Sequence, residues 1–357
     1  VDFQLSDDQR ALRSGMRDLL GAVFDRDRLR AAVERDGALD RSLWRELGAA
    51  GFFALRLPEA AGGVGLGLPE AVLLFEEAGR ALLPGPLVAT HLAAGLVKGA
   101  AEGEAVVTAV AGELPVAHLA EADAVLVGTD ALAREPLVGE ALRAFLAAAR
   151  PVRSMDPLSP LHRAPADAKP APAASERTRA DAERAPAATE RAPAHAGRFR
   201  FEAALLTAAE QLGSAARTTE AAVQHAGDRE QFGSPIGSFQ AVKHLCADML
   251  ARTEPARAAV YAAAVTGDPV EIAAAKLLAD EAAVRNARDC LQIHGGMGFT
   301  WEADVHLHLK RAWLRAASWL TGAGAEELLA AGLGTAGRLP RSSAAYGRPV
   351  GEAGGGG

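Results

Sequence analysis

From Phe199 to about Leu333 the sequence keeps a helical apolar repeat, broken only at Gly227–Gly237 and at Gly295–Gly298. Single helices of ordinary length are marginal in water, so a block of this kind is stable only if its helices pack along one another. Alanine is abundant throughout; it is the strongest helix former and leaves room for close helix approach. The hydrophobic share of 49% supplies a core, while the aromatic share is only 5%, which suits closely approaching helices rather than ring-filled layers. The chain therefore reads as mainly α, with residues 199–335 as a C-terminal four-helix bundle.

The N-terminal part is helical as well. Ser6-Asp7-Asp8-Gln9 has capping-box spacing, and Leu12, Met16, Leu19 and Val23 follow on one face. Asp40 is an N-cap for a helix carrying Leu43, Trp44 and Leu47 and stopping at Gly48; the charge-rich run Arg26–Arg35 reads as a solvated helix face. Pro58, Gly62 and Gly63 mark a loop, and a further helix runs from Pro69 towards Leu82. Residues 1–103 form an N-terminal helical domain. Residues 104–163 change period: Val106–Val110, Ala124–Val127 and Pro151–Arg153 read as short strands of a reduced β-domain. Residues 164–198 are rich in Ala, Pro, Glu, Arg and Thr and almost free of large apolar side chains, the composition of a disordered linker or insertion; 336–357 reads as a disordered tail.

Several function classes are excluded by composition. A net charge of −7 without a basic patch argues against nucleic-acid binding. Cys246 and Cys290 are too few for a disulfide framework and lack zinc-ligand spacing, and each lies on a helical pattern where a buried thiol is expected. His306 and His308 are two positions apart on a helix and point in different directions, so no metal ligands are assigned. No apolar run approaches a membrane span and no targeting segment opens the sequence, which predicts a cytoplasmic protein.

Chemistry concentrates in the two glycine-marked breaks. The first reads Asp228-Arg229-Glu230-Gln231-Phe232-Gly233-Ser234-Pro235-Ile236-Gly237-Ser238-Phe239-Gln240, a polar turn between helices that offers an Arg and backbone N–H groups to a phosphate. The second reads Gln292-Ile293-His294-Gly295-Gly296-Met297-Gly298-Phe299-Thr300-Trp301-Glu302, whose glycines after a helix permit positive φ and close approach of a ligand. A helix hairpin and a Schellman-type stop would explain each alone, though the stop accounts for one glycine and not three.

Together they resemble the acyl-CoA dehydrogenase family. Its R-x-x-F-G-x-x-[IL]-x-x-[FH]-Q turn is matched by Arg229, Phe232, Gly233, Ile236, Phe239 and Gln240, with eleven residues from Arg to Gln. Its Q-x-x-G-G-x-G-[YF] turn is matched by Gln292, Gly295, Gly296, Gly298 and Phe299, and Glu302 matches an acidic residue that often follows. Leu57-Pro58-Glu59 with Gly62-Gly63 resembles the family's P-E-x-x-G-G loop. The resemblance implies an acyl-CoA dehydrogenase-like fold and FAD clasped across a subunit interface. Arg229 and Gln240 would contact its pyrophosphate and adenosine side, Gln231 and Phe232 would also bind the cofactor, and Gln292, Ile293, His294, Gly295 and Gly296 would pack backbone against it. It also implies an acyl-CoA substrate, tetrameric assembly and an electron-accepting flavoprotein.

The sequence departs from the family where the catalytic glutamate belongs. The Y-E-G-T segment corresponds to Ser318-Trp319-Leu320-Thr321-Gly322, with no Glu before the glycine, while Glu326 and Glu327 begin a further helix. Other members carry the base early in the first C-terminal helix, where Glu202 is the candidate although Ala203 falls at the matching position; one residue is a rotation of about 100° on a helix. The flavin-covering T-E-P-x-x-G-S-D and W-I-[TS] segments are not recognisable between 104 and 163. This pattern resembles the shorter subunits of actinobacterial heterotetrameric acyl-CoA dehydrogenases of steroid side-chain degradation, in which a second related chain supplies the base. A non-catalytic scaffold subunit and a flavin-dependent oxidase or hydroxylase are the alternatives.

Overall fold

The computed structural model describes residues 4–112, 114–128, 135–165 and 197–336. The low-complexity core of the expected linker and the tail beyond 336 lie outside the described residues. Helix α1 (Asp7–Val23) opens with the expected capping box: the Gln9 N–H donates to Ser6 Oγ and the Ser6 N–H to Gln9 Oε1, each at 3.1 Å. Helix α2 (Arg26–Glu34) is capped by Asp25 and α3 (Arg41–Ala49) by Asp40. Gly48 lies inside α3 rather than ending it. Any side chain there would overlap the backbone of Glu102, so the glycine serves close packing. Nor is α2 simply solvated. Leu29 and Ala32 are buried, and Arg26 and Arg30 both pair with Asp304 near the far end of the chain.

Helix α4 (Leu68–Arg80) is buried along most of its length and is followed by the short α5 (Leu87–Ala93). The middle region is small. Strand β1 (Val107–Val110) runs parallel to β3 (Ala124–Val127), with Val107 opposite Ala124. Strand β2 (Val116–Ala117) joins β5 (Leu161–Arg163), which also pairs antiparallel with β4 (Arg150–Val152). Helix α6 (Gly139–Ala148) lies between these strands in sequence and buries Leu142 against Val110, Val116 and Val125.

The C-terminal region begins with α7 (Arg198–Asp228). A hairpin of β6 (Glu230–Gln231) and β7 (Ser234–Pro235) then leads to α8 (Gln240–Thr266), α9 (Pro269–His294), α10 (Val305–Ala317) and α11 (Gly322–Ala336). Helix α7 packs along both α9 and α4, so one helix joins the bundle to the N-terminal domain. Glu326 and Glu327 lie exposed on α11. Cys290 is buried and Cys246 half-buried, both as free thiols. Among the described residues, no helix is long and apolar enough to cross a membrane.

The α4–α7 contact depends on two glycines. A Cβ on Gly213 would overlap the carbonyl of Glu76, and one on Gly79 would overlap the backbone of Glu210. The obstructing atoms are backbone, which yields only if a helix moves. Alanine is favoured over glycine in a helix by about 1 kcal/mol, but overpacking a dense core costs about 1–3 kcal/mol or more. Gly213→Ala is therefore expected to lower the urea midpoint despite its better propensity; an unchanged or raised midpoint would contradict the contact.

Candidate functional site

The two glycine-marked turns meet at one end of the bundle. Helix α7 stops at Asp228, and the β6–β7 hairpin turns at Phe232 (φ 55°) and Gly233 (φ 79°). Two successive left-handed residues form the turn that matches the natural twist of a two-residue hairpin. Helix α9 stops at His294, and Gly295 takes φ 60° and ψ −143°, a conformation open to glycine alone. The turns are fastened together: the rings of His225 on α7 and His294 on α9 stack at 4.0 Å with 16° between planes. Below them Ile236 packs against the cluster of Ala222, Ala226, Met249, Leu291 and Ile293.

Arg229, Gln231, Phe232, Gln240, Gln292, Gly295 and Gly296 are exposed at this end. Phe232 is 94% exposed and Phe299 73%. Ile293 differs from expectation: its side chain is buried in the apolar cluster, leaving only its backbone for a ligand. His294 is turned inward, with Nδ1 2.8 Å from the Cys290 carbonyl oxygen. The Arg229 guanidinium has no ion pair or hydrogen bond among the described residues, and a Cβ added at Gly233, Gly295 or Gly296 would meet nothing within 4 Å. Free cationic donors, open glycine backbone and exposed aromatic rings suit a flat, anionic dinucleotide.

The loop after the second turn is held from the N-terminal domain. Arg26 donates from Nε to Asp304 Oδ2 at 2.7 Å and from Nη2 to the Glu302 carbonyl at 2.9 Å, and Arg30 reaches the Trp301 carbonyl and the Asp304 carboxylate. Lys310 Nζ stands 4.3 Å from the Trp301 ring centroid.

A separate cavity of about 580 Å³ lies among α5, β1, β2, α7, α10 and the segment 318–321. Its charged and polar lining includes His118, Arg200, Thr207, Glu210, Arg311 and Arg315. Arg315 Nη2 donates to Glu210 Oε1 at 2.7 Å, and Arg311 pairs with the buried Asp156. Burial pushes Glu210 above the ordinary carboxylate range despite Arg315 and Arg311, and brings Arg315 down to about 10 against the pull of Glu210. His118 has a left-handed φ of 56°; Nε2 accepts from the Gly85 N–H at 3.2 Å, which leaves Nδ1–H to donate to Glu121 at 2.9 Å.

Glu202 lies outside the cavity lining. Arg56 Nη1 and Arg198 Nε donate to its two carboxylate oxygens at 2.7 Å each. Burial raises its pKa, but these two guanidiniums outweigh burial and hold it below the usual range. A carboxylate so clamped is a weakened base. Thr321, directly before Gly322, lines the cavity where the resemblance places a glutamate. Sequence reasoning passed over Glu210, Arg311 and Arg315. Their signal is charge on the buried face of a helix, with Arg311 and Arg315 one turn apart on α10.

The family models for the acyl-CoA dehydrogenase N-terminal and C-terminal domains match residues 6–102 and 197–336. Acyl-CoA dehydrogenase IpdE2 of Mycobacterium tuberculosis is 37% identical over 291 residues, spanning 80% of this chain and 84% of that protein. The chain belongs to the acyl-CoA dehydrogenase family. Two solved structures share the fold. The Tcur3481-Tcur3483 steroid ACAD superposes with a TM-score of 0.74 at 23% identity, covering 93% of this chain and 99% of that one. The ChsE4-ChsE5 complex of M. tuberculosis superposes with a TM-score of 0.70 at 22% identity, covering 95% and 100%. The acyl-CoA dehydrogenase family is FAD-binding, and the two matched ranges contain both turns and both helices of the α4–α7 crossing.

One helix of this acyl-CoA dehydrogenase fold predicts a pH response. On α10, burial pushes His308 down to about 3, reinforced by Arg217, Arg315, Arg311 and Arg80, and its Nδ1 lies 2.8 Å from Ser214 Oγ. An unfolded imidazole titrates near ~6.5. Its contribution to stability is thus complete above that pH and is lost as pH falls from ~6.5 towards 3, at about 1.4 kcal/mol per pH unit for one group. The melting temperature should fall below pH 6.5, and His308→Asn should flatten that fall; an equal slope in the variant would contradict the assignment.

Proposed function

We propose that this chain is one subunit of a cytoplasmic FAD-dependent acyl-CoA dehydrogenase, working with a second chain of the same family that supplies the catalytic carboxylate. The carrying observation is the convergence of the two turns, with the guanidinium of Arg229 unpaired among the described residues beside open glycine backbone. Arg229 and Gln240 would hold the pyrophosphate and adenosine side of FAD. Gln292 through Gly296 would lay backbone along it, and Gln231 and Phe232 would close its edge. Bound FAD would take the hydride that leaves the β-carbon of the acyl thioester. The α-proton must go to a carboxylate. In this chain Glu202 is clamped by Arg56 and Arg198, Glu210 is paired with Arg315, and Thr321 carries no carboxyl. A base from a partner is the consistent source. The electrons would pass on to an electron-accepting flavoprotein.

The exposed Phe232, Phe299 and Trp301 around the turns support a covering subunit, and the ChsE4-ChsE5 relatives form a two-protein complex. A non-catalytic scaffold is favoured by the same paired carboxylates, if the turns hold no flavin.

The test is the visible spectrum of the chain purified with its partner. A flavin band is expected, and Arg229→Ala with Gln240→Ala should lower flavin occupancy at least about tenfold, the loss of about 1.4 kcal/mol of binding, without loss of helical content. A colourless complex, or undiminished flavin in the double variant, would sink the proposal.

A further inference from the structure

The cavity between α7 and α10 carries more positive charge than its own acids balance. Three guanidiniums, Arg200, Arg311 and Arg315, line it, against the lining carboxyl Glu210 and Asp156 behind Arg311. Arg311 and Arg315 are spoken for by those two acids. Arg200 is not: its Nε donates to the Trp319 carbonyl at 2.8 Å, while its two terminal nitrogens have no hydrogen bond or ion pair among the described residues. Behind it, Arg311 Nη2 and Arg315 Nη1 are buried donors without an acceptor. Buried polar groups in folded proteins are almost always satisfied, so these two buried unfilled donors, with the half-buried Arg200 beside them, point to an acceptor held in the cavity.

Besides His118, Thr207 and the hydroxyls of Thr108, Ser159, Ser318 and Thr321, the remaining wall is apolar. Leu87, Val88, Val116, Leu161 and Leu314 surround the space with hydrocarbon, and the Trp319 ring is fixed edge-on against Phe199 at 5.5 Å. Trp319 itself holds a left-handed φ of 63°, costly for a bulky side chain and kept by the Arg200 hydrogen bond to its carbonyl. A wall of this kind takes an aliphatic or alicyclic chain. The two terminal nitrogens of Arg200, without a partner among the described residues, suit a chain that ends in an anion, and a planar fork of donors matches a carboxylate bidentately.

Building on the proposed dehydrogenase role, we propose that the cavity accepts an acyl-CoA whose acyl group ends in a second carboxylate, and that Arg200 is the residue that selects it. The neighbouring Arg311 and Arg315 add a positive field in a desolvated wall, where charge is poorly screened.

The experiment uses the full chain co-purified with its partner and flavin, and measures by calorimetry the binding of adipoyl-CoA, hexanoyl-CoA and free adipate. The two thioesters share the CoA phosphates and the six-carbon length, so their difference reports the terminal carboxylate alone. Adipoyl-CoA is expected to bind at least tenfold tighter than hexanoyl-CoA. That gap should vanish in Arg200→Gln and should return in part in Arg200→Lys. Adipate alone should bind weakly and compete with adipoyl-CoA. Equal affinities for the two thioesters, or a gap that survives Arg200→Gln, would overturn the assignment while a flavin band in the same sample leaves the dehydrogenase reading standing. Absence of both flavin and thioester binding would overturn the two together.

Discussion

The crossing of α4 and α7 is the contact on which the rest of the molecule depends. Gly79 and Gly213 let the two backbones approach until each glycine faces a peptide of the other helix. That closeness places charged side chains on buried helix faces, and each must find its counter-charge nearby. Glu77 accepts from Arg17 Nε and Nη2 at 2.8 and 2.6 Å. Glu76 pairs with Arg257 and accepts from the Tyr261 hydroxyl at 2.6 Å, and Glu210 pairs with Arg315. The partners come from α1, α8 and α10, so the crossing fixes where three other elements sit. A buried pair is weak support in itself, because desolvation offsets much of the attraction, but removing one partner leaves an uncompensated charge. Such pairs specify which helix lies against which.

The helical frame was legible because its signals are local. Ser6 with Gln9, Asp40 before Leu43, and the apolar spacing after Phe199 each act within one or two turns. Elements set by distant contacts escaped. Helix α5 has seven residues, too short for a period to emerge, and Thr90 within it is held by hydrogen bonds to Val107 on β1. Strand β2 has two residues, and its place is fixed by β5, more than forty positions later. Gly48 looks like a helix stop in sequence, yet its glycine answers to Glu102.

The site divided in the same way. Arg229, Gln240 and the glycines after His294 stand in fixed spacing, so sequence alone names them. That they lie at one end of the bundle depends on the antiparallel course of α7, α8 and α9, which the helix lengths suggest and the His225–His294 stack secures. The cavity was not legible. Its arginines come from α7 and α10, and the one local signal, charge at Arg311 and Arg315 one turn apart, becomes readable only once the buried face of α10 is known. Glu202 shows the converse: a carboxylate at a suggestive position whose chemistry is decided by Arg56, 146 residues away.

The fastening of the second turn by α2 bears on how the protein matures. Arg26 and Asp304 are 278 positions apart. A contact of that span closes a loop of 278 positions, and the entropy of closure must be met before the contact contributes. A ribosome releasing this chain exposes α2 long before Asp304 exists. The α2 clasp can therefore form only after residue 304 has emerged and the bundle helices have folded back on the N-terminal domain. Competence to hold a ligand at that turn would then wait on this long closure, and a product lacking α2 would carry the sequence of the turn without the brace that shapes it.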